Sequence, residues 1–290
     1  MMKSFDKVAK DTNIFLKKYL KNQKNSNLLR PINYALFPGG KKIRSKVLVD
    51  TGKIFNINYS TLIKIGGAIE CIHAYSLIHD DLPCMDNDTM RRGKLSTHVK
   101  FGESTAVLAG NSLLTLAFEI LSDKKTILDE KVKVELIKRL SECSGHSGIA
   151  GGQFLDLSFE KKKIPLKNII DMQLKKTGRL FGYCCVVPLI IAKKNKSLIK
   201  KFENIGLDIG LLFQIADDLI DYRGDTRKAG KKTKKDFKKG KATLISLLGY
   251  ENTIKYGNKL ILKIKKKLKK YGKKEKILTE TLEYILNRKK

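Results

Sequence analysis

At 290 residues with 42% hydrophobic content, the chain is long enough to bury a large core and too apolar to stay disordered. Its 60 Lys and Arg against 29 acids give +31, yet only nine of the 60 are Arg and no aromatic residues interleave the Lys runs, which argues against a nucleic-acid partner. Five cysteines without a CxxC pair and four histidines without zinc-ligand spacing exclude a disulfide framework and a zinc site, and lead us to expect reduced thiols in a cytoplasmic protein.

The opening stretch MMKSFDKVAKDTNIFLKKYLKNQ holds no apolar run of signal length. Gly39-Gly40-Lys41-Lys42-Ile43-Arg44 then puts a flexible turn ahead of a helix start, where backbone N–H groups and two cations three residues apart, Lys41 and Arg44, can hold an anion. Residues 60–80 carry a helical apolar stripe. It presents His73, which by itself reads as an ordinary core histidine, then Tyr75 and Ser76, and closes on Asp80, Asp81, Asp86 and Asp88. Pro83 separates Asp80 from Asp86, so the later carboxylate must come from the turn after the helix.

Further helices are expected over 105–121 and 166–192. The apolar run CCVVPLIIA within the latter is too short to span a bilayer, so no stable membrane insertion is expected. Ile205, Ile209, Leu212, Ala216 and Leu219 mark another helix, ending in Asp217, Asp218, Asp221 and Asp225. On it, Gln214, Asp217 and Asp221 share one stripe. The stretch 263–276, KIKKKLKKYGKKEK, reads as an amphipathic helix with a Lys-covered outer face. Sustained strand alternation is absent, and the prolines and Gly pairs fall at or near the ends of these stretches. The expectation is all-α: one domain over 1–290, a bundle of ten or more helices around a central cavity.

A lone acidic helix end is as easily a solvated terminus as a site. Two such clusters, holding eight of 29 acids, change that balance, because carboxylates crowded after apolar helices need a cation. Hard oxygen ligands without His or Cys suit Mg²⁺. Arg91 and Arg92, beside the first cluster in a chain that prefers Lys, suit diphosphate oxygens. No GxxxxGK[ST] loop is present, which disfavours nucleotide hydrolysis.

SLIHDDLPCMDNDTMRRGK and FQIADDLIDYRGD resemble the two aspartate-rich regions of the trans-isoprenyl diphosphate synthases. GGKKIRSK, GGQFLDL, KTGRLF and GKKTKKDFKKGKAT are similar to further segments of that family, in the same order, from about residue 30 to 250. The resemblance implies that Asp80, Asp81, Asp86, Asp217, Asp218 and Asp221 hold Mg²⁺, three ions per active site with Mn²⁺ as an alternative, bridging an allylic diphosphate that Arg91 also contacts. It implies that Lys41, Arg44, His73 and Arg92 hold isopentenyl diphosphate. Lys176, Thr177, Gln214, Lys231 and Lys241 would line the allylic pocket or its phosphates, with Gln153 and Asp156 in support.

Three positions depart from the family pattern: Ser45 replaces the usual Pro, Lys42 the usual Arg and Lys234 a usual Gly. The Pro83-Cys84 insertion with Tyr75 five residues before Asp80 resembles the bacterial farnesyl diphosphate synthases, in which an aromatic floor stops growth at C15. The implied activity condenses isopentenyl diphosphate with dimethylallyl or geranyl diphosphate in a homodimer. A geranylgeranyl (C20) synthase is the nearest alternative. A terpene cyclase, a non-catalytic synthase subunit and a basic RNA-binding protein are more distant ones.

Overall fold

In the computed structural model, which describes residues 2–24, 26–223 and 243–288, the chain is all-α, with more than ten helices among the described residues. The first half holds α1 (Met2–Lys21), α2 (Leu29–Leu36), α3 (Ile43–Ile54), α4 (Tyr59–Asp80), a hairpin of β1 (Met90–Arg91) and β2 (Lys94–Leu95), α5 (Thr97–Phe101), α6 (Glu103–Ser122) and α7 (Glu130–Ser144). There follow α8 (Ile149–Ser158), α9 (Leu166–Gln173), a π-helical turn (Leu174–Gly178), α10 (Arg179–Ile191), α11 (Lys196–Arg223), α12 (Leu244–Leu248), α13 (Tyr250–Leu268), a 3₁₀ turn (Lys269–Lys274) and α14 (Glu275–Asn287). The antiparallel hairpin, with Met90 opposite Leu95, is the one sheet among the described residues and was not expected from the sequence.

α4 is the central helix. Asn58 caps it, its Oδ1 accepting from the Thr61 N–H at 3.2 Å. The helix is buried along most of its length between α3, α6 and α1. Its 22 residues have the length and mean hydropathy of a membrane span, but most of that surface is covered by the fold. One hydrophobic cluster runs from Val8 to Ile285 and includes residues of α4, α6, α10 and α11; a smaller one joins Leu211, Ile215 and Leu219 to Leu244 and Leu260.

α10 and α11 cross at close range through glycine. A Cβ at Gly206 would fall 2.5 Å from Gly182 Cα, and one at Gly210 would fall 2.4 Å from Gly178 Cα. Glycines four apart on both helices thus remove a layer of side chains and let the backbones touch. Pro188 stands inside α10 rather than at its end, fully enclosed by the core. α14 is tied to α3 by a buried network in which Lys46 pairs with Asp50 and Thr281 Oγ1 donates to Asp50 Oδ2 at 2.7 Å. The expected helix over 263–276 buries Ile264 and Leu268 but does not continue, because Gly272 adopts φ +60° and turns the chain into α14.

Gly210→Ala should cost about 1–3 kcal/mol, since the new methyl meets backbone and the helices must separate. Urea denaturation of the variant beside the natural protein measures the loss.

Candidate active site

The first acidic cluster is built on the end of α4 and the turn that follows. The Asp86 N–H donates to the Asp80 carbonyl at 2.8 Å, and the Asp88 N–H donates to the Asp81 carbonyl at 3.1 Å, so the turn folds the later carboxylates back onto the helix end. Arg91, on the hairpin, donates through Nε to Asp81 Oδ1 at 3.0 Å, makes a second bond through Nη2 to the same oxygen, and reaches Asp88 Oδ2 at 3.3 Å. Burial raises the Asp81 carboxyl above its usual range, with Arg91 opposing. Burial likewise disfavours the charge on Arg91, but Asp81 and Asp88 outweigh it and hold the guanidinium above its ordinary value. Asp80 is pushed up to about 6, by burial first, with Lys176 pulling down and Asp86 adding repulsion.

The second cluster lies along α11. Gln214 donates to Asp218 Oδ1 at 2.9 Å, and Thr177 Oγ1 donates to Gln214 Oε1 at 3.2 Å, so a relay runs from the π-helical turn into the cluster. Gln214 therefore bonds to Asp218 rather than to the stripe of Asp217 and Asp221. Asp221 is buried beside it. Asp217 is bonded instead by Arg288, from the end of the chain, at 2.7 Å. The same Arg288 nitrogen donates to the Phe213 carbonyl at 3.2 Å, and its guanidinium lies 3.9 Å from the centre of the Phe213 ring. Sequence reasoning missed Arg288. Its one signal was an Arg, scarce in this chain, next to a terminal pair of lysines.

Lys176 and Thr177 sit on the π-helical turn that interrupts an otherwise continuous helix from α9 into α10. Such single-turn insertions release backbone groups from the regular ladder and concentrate at functional sites. Lys176 bonds to Asp156 of α8 at 2.6 Å. The approach is made at Gly152, where a Cβ would fall 2.2 Å from the Lys176 backbone nitrogen. Gln153 beside it is buried, and both polar atoms of its amide lack a partner among the described residues. A buried amide without partners calls for a ligand or water. Lys231, Lys241, Lys234 and Asp225 lie outside the described residues.

A cationic surface gathers at the start of α3. Gly39 and Gly40 have φ near +92° and +102°, and a Cβ at Gly40 would fall 2.8 Å from Arg92 Nη1, which donates to the Gly39 carbonyl at 2.6 Å. Arg44 is buried with its guanidinium over the rings of Phe181 and Phe213, 4.9 and 5.3 Å from their centres, and its Nε has no partner among the described residues. Lys41 turns outward to Asp6 of α1 at 2.8 Å. His73 is held well below 6.5, by burial first and then by Arg44, Arg92, Lys42 and Arg91. On the other side of α4, the Tyr75 hydroxyl donates to the Ser144 carbonyl at 3.1 Å, and its ring stands edge-on to His79 with centroids 5.7 Å apart. Ser76 is buried one residue on, its hydroxyl turned back to the His73 carbonyl.

Among the described residues, no three His, Cys, Asp or Glu side chains converge on one metal position. That fits Mg²⁺, which binds through one or two carboxylates and takes its remaining oxygens from phosphate and water. The all-oxygen donor set and the raised carboxyl of Asp80 fit the same ion. Arg44 and Arg92 feel the charge of Asp217, so the cationic surface borders the second acidic cluster.

The sequence profile of the family described as polyprenyl synthetase matches residues 25–282. Over 272 residues the chain is 39% identical to the farnesyl diphosphate synthase of Escherichia coli (strain K12), covering 92% of this chain and 91% of that protein. The crystal structure of an FPP/GFPP synthase from Zymomonas mobilis, without ligand, superimposes with a TM-score of 0.87 at 39% identity and covers 97% of each chain. A Helicobacter pylori geranyltransferase, complexed with magnesium and isoprenyl diphosphate, superimposes with a TM-score of 0.82 at 33% identity, covering 98% of this chain and 96% of that one.

His73 yields a pH dependence whose sign is fixed. The unfolded chain takes up this proton at about 6.5 and the folded chain resists it, so its contribution is fully present above 6.5 and is lost as pH falls. As pH falls below 6.5, stability should drop by up to about 1.4 kcal/mol per pH unit on this account. Urea denaturation of His73→Asn against the natural protein isolates that slope, and the His73 ring signals should titrate well below the ordinary histidine midpoint.

Proposed function

Since the chain belongs to the polyprenyl synthetase family, we propose that it is a prenyltransferase that condenses isopentenyl diphosphate with dimethylallyl or geranyl diphosphate, giving farnesyl diphosphate and pyrophosphate. The observation that carries this reading is a pair of adjoining sites with opposite chemistry. One is made of desolvated carboxylates that need cations; the other is a surface of Arg44, Arg92 and neutral His73 that needs an anion.

Asp80, Asp86 and Asp217 are the carboxylates we assign to Mg²⁺, with Asp81, Asp218 and Asp221 completing the two acidic jaws. Three ions shared among these six carboxylates is the number we propose. Bound Mg²⁺ supplies the positive charge that stabilises a departing diphosphate. Arg91, fixed by Asp81 and Asp88, and Lys176, fixed by Asp156, would add positive charge for the same diphosphate. As the allylic C–O bond breaks, the oxygens of Thr177 and Gln214 face the carbocation. The Thr177 proton is committed to Gln214, which leaves lone pairs for that charge. Arg44, Arg92 and His73 hold isopentenyl diphosphate so that its double bond attacks the cation, and the released pyrophosphate accepts the final proton. No side-chain nucleophile is needed.

Tyr75 supports a C15 product. Its ring is pinned through its hydroxyl to the end of α7 and through His79 to α6, where His79 Nε2 lies 3.2 Å from the Val107 carbonyl. α5 and α6 leave Val99, Val107 and Leu108 exposed, an apolar strip that supports a homodimer in which a second copy covers it. All five thiols are unpaired, which supports a reducing, cytoplasmic setting. The common core from Val8 to Ile285 supports a single synthase domain over 1–290.

Incubation with isopentenyl and dimethylallyl diphosphates should give farnesyl diphosphate only when Mg²⁺ is present; no Mg²⁺-dependent prenyl product would refute the assignment. Asp80→Asn and Asp217→Asn should each lower kcat on the order of 10²-fold or more. Tyr75→Ala should move the product distribution to C20 and beyond, whereas an unchanged distribution removes Tyr75 as the floor.

A further inference from the structure

Ser45 is a departure from the family pattern, and its surroundings explain how the chain tolerates it. The first bond within α3 runs from the Lys46 N–H to the Lys42 carbonyl at 3.0 Å, so the Ser45 N–H belongs to the first turn and has no carbonyl in its own helix. A proline at this position has no N–H to satisfy. Ser45 does, and it is wholly buried, out of reach of water.

Glu70 of α4 meets that need. Its Oε1 accepts from the Ser45 N–H at 3.3 Å and lies 3.0 Å from the Ser45 hydroxyl oxygen, which is also 3.2 Å from the Gly66 carbonyl. α3 and α4 are so close here that a Cβ at Gly66 would fall 3.0 Å from that hydroxyl. The second Glu70 oxygen lies 3.7 Å from Lys42 Nζ, which donates to the Leu36 carbonyl at 3.0 Å. Lys42 and Glu70 have side chains only 4% and 3% exposed, so their pairing is made away from solvent. Lys42 also holds a left-handed conformation, φ +47°, which its surroundings must enforce.

Arg44 stands between these two anchored residues. Glu70 also precedes His73 by three residues on α4, and its charge favours the charged forms of Arg44 and Arg92. We propose that Glu70 is the positioning residue of the isopentenyl diphosphate subsite: through Lys42 and Ser45 it fixes the backbone that aims Arg44, and Ser45 achieves by hydrogen bonding the rigid helix start that proline gives covalently. The inference rests on the assignment of Arg44, Arg92 and His73 to that substrate.

Glu70→Gln, measured in the natural sequence and in a Ser45→Pro background, tests it. In the natural background KM for isopentenyl diphosphate should rise about tenfold, with kcat and the allylic KM within about twofold. In Ser45→Pro the rise should shrink to about threefold or less, because a proline start does not need Glu70. A fall or no change in that KM, equal changes for both substrates, or the same rise in both backgrounds overturns the proposal. Calorimetric titration of isopentenyl diphosphate into Mg²⁺-free protein should show the same ranking. Should Glu70→Gln not fold, Ser45→Ala against Ser45→Pro decides: Ala raises KM and Pro does not, and Ala equal to the natural protein is the contrary result. Natural protein that neither binds nor turns over this substrate would refute the functional assignment itself.

Discussion

The molecule is organised around the cost of keeping carboxylates where water is scarce. An acid at the end of an apolar helix loses hydration, and a neighbouring acid adds repulsion, so Asp80 is already driven toward its neutral form at about pH 6. Each remedy visible in the structure is a cation brought from elsewhere in the chain: Arg91 from the hairpin to Asp81, Lys176 from the π-helical turn to Asp156, Arg288 from the chain end to Asp217. Such pairs add little net stability, since desolvation offsets most of the Coulomb attraction. What they do is hold charge in fixed places. A site whose charges are already oriented needs little rearrangement when a diphosphate and its cations arrive, and that readiness is where electrostatic catalysis resides.

The backbone makes this possible by unusually close packing. Gly178 at the end of the π-helical turn meets Gly210 of α11, Gly182 of α10 meets Gly206, and Gly152 on α8 meets Lys176, so helices approach without side chains between them. The Thr177–Gln214 bond joins the same two helices four residues beyond Gly210. A bulkier crossing would carry Lys176 and Thr177 away from α11 and break the relay into Asp218. The π-helical turn belongs to the same economy of space, because it shifts the register of the α9–α10 helix where two of its side chains enter the site.

What the sequence disclosed follows from range. Eight of the chain's 29 acids crowd into two short stretches, so two clusters with helix spacing were visible from local pattern alone, and the turn that returns Asp86 to Asp80 could be inferred from Pro83. Gln214 was placed on the stripe of Asp217 and Asp221, yet it bonds to Asp218, because positions three and four apart are both neighbours on a helix and packing selects between them. The π-helical turn was invisible because the apolar period over 166–192 persists through it. Arg288 lies 71 residues from Asp217, and Glu70 lies 25 from Ser45 on another helix; no local periodicity reports such contacts. The Lys-rich helix was extended too far because its charge pattern continues through Gly272, while its backbone does not.

α4 shows how one helix can separate two properties of a reaction. Glu70, His73 and Asp80 are three and then seven residues apart, so they share a stripe that serves the start of α3 and the acidic turn. Tyr75 and His79 are four apart on another stripe, which packs on α6 and the end of α7. Charge therefore occupies one side of the helix and the Tyr75–His79 aromatic pair the other. If Tyr75 is the proposed floor, a change there alters how far an apolar chain can extend without disturbing the carboxylate or the histidine. A change at Glu70 alters how the cationic surface is held without moving the wall. On the proposed roles, product length and diphosphate recognition would vary by independent substitutions on a single element, provided that the glycine-mediated contacts of α10, α11 and α8 keep the opposite jaw in register.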